Sequence, residues 1–143
     1  ISEQHGYNLL NRFPETDVLP TARELGIGVT VFSPLARGLL AADVTKPLQR
    51  PLTGDAQMLL ATHRSQMEQF SALCREIGEK EAHVALAWLL ANPAIAAPII
   101  GPSSVEELHD TLRAVEVVLD DEILGQLDAI FPPTSELSMF KKT

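Results

Sequence analysis

The eight residues 26–33, GIGVTVFS, constrain the fold of this chain more than any other stretch. Val29, Thr30 and Val31 are β-branched and apolar residues fall on both alternating faces. Such a run is expected as a strand covered on both sides, as in a parallel sheet flanked by helices. Helical patterns do flank it. Upstream, residues 15–25 are expected as a helix with Val18, Ala22 and Leu25 on one face, Pro20 in its first turn and Gly26 as a left-handed stop. Downstream, Met67, Phe70, Cys74 and Ile77 recur at a spacing of three and four with charged residues between them, and Gly78 ends that helix.

Residues 81–91 are apolar nearly all round, with Val84, Ala87, Trp88 and Ala91 on one side and Leu86, Leu89 and Leu90 filling more, so this helix should be buried on more than one face. Asn92 and Pro93 break it. A short apolar run at 97–100 reads as a second strand, although Pro98 argues against a central position. Ser104 and Glu107 have the spacing of a capping box, and Val105, Leu108, Leu112 and Val115 would form the apolar face of the helix they open. A last helix begins near Asp121, capped by Asp120, with Ile123, Leu124, Leu127 and Ile130 as its stripe and Pro132 and Pro133 as its stop. Residues 1–4 could hold a third strand, and residues 134–143 read as a loose tail.

Three strands and about five helices in 143 residues make an α/β chain, yet a closed eight-stranded α/β barrel takes about 250 residues. The chain is therefore a small α/β domain or a portion of a larger ring. Its single cysteine, Cys74, allows no internal disulfide and no multi-cysteine metal site, and favours a reducing, cytoplasmic setting. His5, His63, His83 and His109 share no metal-ligand spacing with it or with one another, so no metal is expected. The net charge is −8 and the eleven Lys and Arg residues are scattered, which excludes a phosphate-binding nucleic-acid surface. No apolar run approaches the roughly 20 residues of a membrane helix, and no signal peptide is read at the start.

Three blocks, met in order, carry a family resemblance: Gln4 with Tyr7 to Arg12 (QHGYNLLNR), Phe32 to Leu40 (FSPLARGLL), and Ile99 to Thr111 (IIGPSSVEELHDT). Together they resemble the C-terminal part of the aldo-keto reductases, over residues 3–133. The resemblance implies a partial TIM (β/α)8 barrel, its strands six to eight with the following helices in residues 1–133, and residues 134–143 as a C-terminal tail. It also implies an oxidoreductase that holds NADP or NAD and reduces a small aldehyde or ketone by hydride transfer. The family's catalytic Asp, Tyr, Lys and His match no residue here, so the chain alone is expected to be inactive. Tyr7, the only tyrosine, reads as a packing residue.

By resemblance, this portion is the cofactor-binding one. Gln4, at a strand end, would hydrogen-bond the nicotinamide carboxamide, which needs a group that both donates and accepts. Phe32 would stack on the nicotinamide ring. Ser33, Pro34, Leu35, Ala36 and Arg37 would contact the pyrophosphate, Arg37 through a charge-assisted bond. Gly101, Ser103 and Ser104 would receive the adenosine phosphate end at a helix N-terminus. Asp110 would meet the adenine amino group.

Some positions depart from the family pattern. Asp43 stands where relatives carry a lysine near the pyrophosphate, exchanging a cation for an anion. Glu107 replaces glutamine or arginine near the adenine ribose, and Thr111 replaces an asparagine that contacts adenine. A carboxylate repels a 2′-phosphate but accepts a hydrogen bond from a free 2′-hydroxyl, so NADPH preference is expected to be relaxed or lost. A second reading, of a different class, is a non-catalytic half-barrel acting as an interaction or self-assembly module, forming a homo-oligomer through open barrel edges.

Overall fold

A computed structural model describes residues 2–48 and 50–133; the expected tail and the first residue of the expected N-terminal strand lie outside them. Three parallel strands, β1 (Ser2–Gly6), β2 (Gly28–Phe32) and β3 (Ile95–Pro98), form one sheet in the order β1-β2-β3. Five helices, α1 (Val18–Glu24), α2 (Gly54–Ile77), α3 (Glu81–Leu90), α4 (Val105–Leu112) and α5 (Asp121–Ile130), connect and follow them, with short 3₁₀ turns between. This is an α/β partial barrel that does not close.

The central strand is two residues shorter at its start than the apolar run and ends one residue earlier. Its side chains divide between two faces. Val29 and Val31 are fully buried against the helices, whereas Thr30 is half-buried and Phe32 is 48% exposed. The expectation of burial on both faces is therefore met on one face only. Among the described residues, helices cover a single side of the sheet, and Gln4, Thr30, Phe32 and Ala97 share the open side by register.

Other boundaries also moved. Residues 13–15 form a 3₁₀ turn, and α1 starts only at Val18, where Asp17 Oδ1 accepts from the Val18 amide at 2.6 Å. Pro20 does lie in the first turn and Gly26 does adopt a left-handed φ of 65°, but the buried residues are Leu19 and Ala22 while Leu25 is exposed. The strand expected at 97–100 is β3 at Ile95–Pro98: Ile95 is its buried residue, and Pro98, lacking an N–H, ends it. Pairing continues only through the Ile99 amide, which donates to the Val31 carbonyl at 2.7 Å.

The core forms where α2 and α3 meet the covered face. Met67, Phe70 and Cys74 are buried as their spacing implies, and Gly78 ends α2 at a φ of 76°. α3 is buried nearly all round, Val84 to Leu89 included. Burial pushes the Cys74 thiol well above its ordinary range, which makes it an inert packing group. α5 adds Leu127 and Phe131, whose ring meets Phe70 edge-on at 5.6 Å, and Asp120 caps it by accepting from the Ile123 amide at 2.9 Å. α4 is different. Its expected apolar face, Val105, Leu108, Leu112 and Val115, is exposed, and none of its residues is buried.

One buried charge ties the two ends of the chain together. Arg12 is 7% exposed; its Nε and Nη2 donate to Glu15, and its Nη1 donates to Asp128 Oδ1 and to the Phe131 carbonyl, both at 2.6 Å. Its plane lies against Trp88, with Cζ 5.1 Å from the ring centroid. Tyr7 packs on the same indole and donates to Glu15 at 2.6 Å, and burial together with that carboxylate holds its phenol proton far above the usual range. Arg12→Ala should cost the full-length polypeptide roughly 2–4 kcal/mol, because Glu15 then loses its partner in a half-buried place. Asp128→Asn should cost below about 1 kcal/mol, since Asp128 is half-exposed. Urea unfolding of both variants measures the difference.

Candidate functional site

Phe32 and the loop after it follow the carboxyl end of β2, and residues 101–104 follow that of β3, but Gln4 is placed otherwise. Gln4 is the third of five residues in β1 and pairs with Thr30, so it lies inside the strand and not at its end. It is exposed on the open face. The end is Gly6, opposite Phe32. A Cβ at Gly6 would come within 2.9 Å of Phe32 Cε2, so the absence of a side chain there is what lets the Phe32 ring lie across the rim. The sequence reading gave Gly6 no role. A lone glycine at a strand end carries no signal of what crosses it.

After Phe32 the chain turns sharply. Ser33, Ala36 and Arg37 take left-handed φ values of 51°, 47° and 59°, a conformation that disfavours residues with a Cβ by roughly 1–2 kcal/mol each. Something must hold it. Asn8, 6% exposed, donates from Nδ2 to the Ser33 carbonyl at 3.0 Å, while its Oδ1 accepts from the amides of Leu10 and Asn11 at 2.9 and 3.0 Å. Pro34 and Ala36 are buried, Leu35 is half-buried, and Ala36 N–H closes on the Ser33 carbonyl at 3.1 Å. Within QHGYNLLNR the sequence marks no function for Asn8; a polar residue set between Tyr7 and Leu9 was the available clue.

Arg37 points to Asp55 near the start of α2, with Nη1 2.9 Å from Oδ2 and both side chains more than half exposed. Such a surface pair contributes about 0–1 kcal/mol, so the guanidinium is released at little cost. Asp43, the anion expected where relatives carry a lysine, is itself paired. Lys46 Nζ lies 2.8 Å from its carboxylate, which also accepts from the Thr45 hydroxyl and amide at 2.6 and 3.0 Å, and these contacts pull the acid down to about 2. A cation is thus present three residues further on, bound to the anion.

At the other end of the rim, Ser104 caps α4, its Oγ accepting from the Glu107 amide at 3.1 Å. The return bond of the expected capping box goes elsewhere. Glu107 Oε2 accepts from the Ser103 amide at 2.8 Å and the Ser103 hydroxyl at 2.5 Å, and these bonds hold its carboxyl below the usual carboxylate range. Arg50, on the segment before α2, has Nη1 3.9 Å from the same oxygen. Arg50 was not foreseen, because nothing in its local sequence announces that this segment reaches α4. Gly101 is exposed. Thr111 spends its hydroxyl on the Glu107 carbonyl at 2.7 Å, and Asp110 turns to α3, accepting from Lys80 Nζ at 2.5 Å.

Among the described residues no group of three or more His, Cys, Asp or Glu side chains is gathered for a metal ion, and no helix is long and apolar enough to cross a membrane. A groove of about 880 Å³ lies apart from the rim, within the helical layer, between α1, α3 and α5. Its lining, Tyr7, Arg12, Leu19, Trp88, Asn92 and Leu124 among others, includes none of the expected site residues.

Comparison with known proteins fits this architecture. Residues 1–131 match the aldo/keto reductase family. Over 132 residues, 92% of the chain, the sequence is 55% identical to the uncharacterized oxidoreductase YrpG of Bacillus subtilis (strain 168), of which it covers 40%. A crystal structure of the thermostable aldo-keto reductase Tm1743, solved with the inhibitor epalrestat, superposes with a TM-score of 0.65 at 26% identity, over 91% of this chain and 39% of that one. The chain thus spans about two fifths of the length of the proteins it matches. From its residues, its parallel strands and these similarities together, the chain belongs to the aldo/keto reductase family.

Proposed function

We propose that this chain is the cofactor-binding part of an NAD(P)H-dependent reductase of aldehydes or ketones, working in the reducing cytoplasm. The observation that carries the reading is the rim itself: an exposed amide, Gln4, and an exposed aromatic, Phe32, share one open sheet face beside a strained loop that a buried asparagine holds in place. Strain of this kind persists only where the surroundings over-determine it, and it gathers at ligand-binding positions.

The residues present suit a nicotinamide dinucleotide. A bound reduced cofactor would supply the hydride. Phe32, its ring lying across Gly6, offers a flat apolar surface that fixes which face of a stacked ring is presented. Gln4 can both donate to and accept from a carboxamide. The loop at 33–37 approaches with its geometry already fixed, and Arg37 can leave Asp55 for a pyrophosphate oxygen. Proton donation to the carbonyl oxygen needs an acid near the reacting atom; Tyr7 cannot serve, being buried and bonded to Glu15.

The adenosine end is less suited to a phosphate. Glu107 already places a carboxylate on the Ser103 amide and hydroxyl, the donors an incoming 2′-phosphate would require. A free 2′-hydroxyl meets no such conflict. NADH is therefore the better-matched cofactor.

The exposed stripe Val105, Leu108, Leu112 and Val115 on α4 and the single-sided pairing of β1 and β3 favour one further reading, association with another chain or a second copy. Light scattering after size exclusion tests it, and a monodisperse monomer contradicts it.

Two more outcomes are expected. The 143-residue chain mixed with NADH and an aldehyde should show no loss of NADH absorbance, because the family's catalytic acid matches none of its residues; measurable reduction would refute this. In the full-length polypeptide, Glu107→Gln should tighten NADPH binding at least about threefold and change NADH binding less than about twofold. Wild-type protein binding NADPH more than about tenfold tighter than NADH would contradict the assignment of Glu107.

A further inference from the structure

α4 carries Glu107, Asp110 and Thr111, yet none of its residues is buried and its apolar stripe is exposed. Its far end is anchored through Ala114, 3% exposed, in the 3₁₀ turn that follows. Polar pairs join the turn before α3 to α4 and to the 3₁₀ turn after it. Lys80 Nζ lies 2.5 Å from Asp110 Oδ1, and Arg113 Nη2 lies 3.2 Å from Glu79 Oε1, but Lys80, Asp110 and Arg113 are about half exposed or more, and such pairs contribute little.

His83 is the exception. Its side chain is 5% exposed, Nδ1 is 3.3 Å from Glu79 Oε2, and Nε2, without a hydrogen-bond partner among the described residues, faces Asp110 Oδ1 at 3.5 Å. The ring therefore stands between a carboxylate in the turn before α3, Glu79, and a carboxylate on α4, Asp110, with Lys80 and Arg113 as the cations beside them. A neutral imidazole gives an N–H to one of the two and turns a lone pair toward the other; with both nitrogens protonated it donates to both.

We propose that His83 is a positioning residue: through Asp110 it seats α4 against α3 and so presents the residues of α4 to the adenosine end of the cofactor. The proposal rests on the reading of the rim as a dinucleotide site. His83 itself touches no ligand.

The test compares NADH with reduced nicotinamide mononucleotide, which lacks the adenosine half, in the full-length polypeptide. His83→Leu should weaken NADH roughly fivefold, leave the mononucleotide within about twofold and leave kcat at saturating NADH unchanged. His83→Gln, whose amide reaches the place of Nε2, should restore most of the loss. Unchanged NADH affinity in His83→Leu overturns the proposal, as does an equal loss for both nucleotides, which marks general destabilisation. If the wild type binds neither nucleotide, the reading of the rim fails instead, and hydrogen exchange then decides the seat: faster exchange of the α4 amides in His83→Leu with α3 unchanged supports it, and no difference overturns it.

Discussion

The Arg12 guanidinium is the interaction on which the rest of this structure leans. It is buried, which is costly for a charge unless it is paired and fully hydrogen-bonded. Here it is met by Glu15, Asp128, the Phe131 carbonyl and the face of Trp88. Those partners come from the turn after β1, from α3 and from α5, so one side chain fixes the angle at which the last helix closes over the first strand. The same turn contains Asn8, and Asn8 holds Ser33. The strained rim is thereby tied to a buried ion network through four residues of backbone.

A sheet covered on a single face is the second constraint. Val29, Val31 and Ile95 supply the covered side and the apolar burial that stabilises it. The other side presents Gln4, Thr30 and Phe32 to whatever lies above. The backbone on that open side is ordered by the core beneath it. The rim has rigid strands below, a pinned loop at one end and α4 at the other. α4 has no buried residue, and Asp110 links it to Lys80 and His83 by polar contacts.

Much of this was legible in the sequence, for physical reasons that differ by element. The helices α2, α3 and α5 were readable because their stripes pack against a core within this chain, so periodicity and burial agree. The α4 stripe was equally clear as a pattern, but its spacing says only that one face is apolar; it does not say that anything covers it. β3 was misplaced by two residues because Ile95, the buried residue, is isolated among alanines, while Ile99 and Ile100 made the louder signal. Phe32, Ser33 and Arg37 could be named only by resemblance. Gly6, Asn8, Arg50 and His83 act through contacts between segments far apart in the chain, and no local pattern encodes such contacts. Gln4 was likewise named by resemblance, and its place inside β1 follows from the register with Thr30, which only the sheet reveals.

The central claim is that the open sheet face and the pinned loop form the grip on the nicotinamide half of a dinucleotide. A crystal structure of the full-length polypeptide with NADH bound tests it most directly. The account predicts the nicotinamide ring stacked on Phe32, its carboxamide within hydrogen-bond distance of Gln4, and the pyrophosphate against the backbone at 33–37. A nucleotide seated elsewhere, such as the groove between α1, α3 and α5, with Phe32 covered by protein, would contradict it.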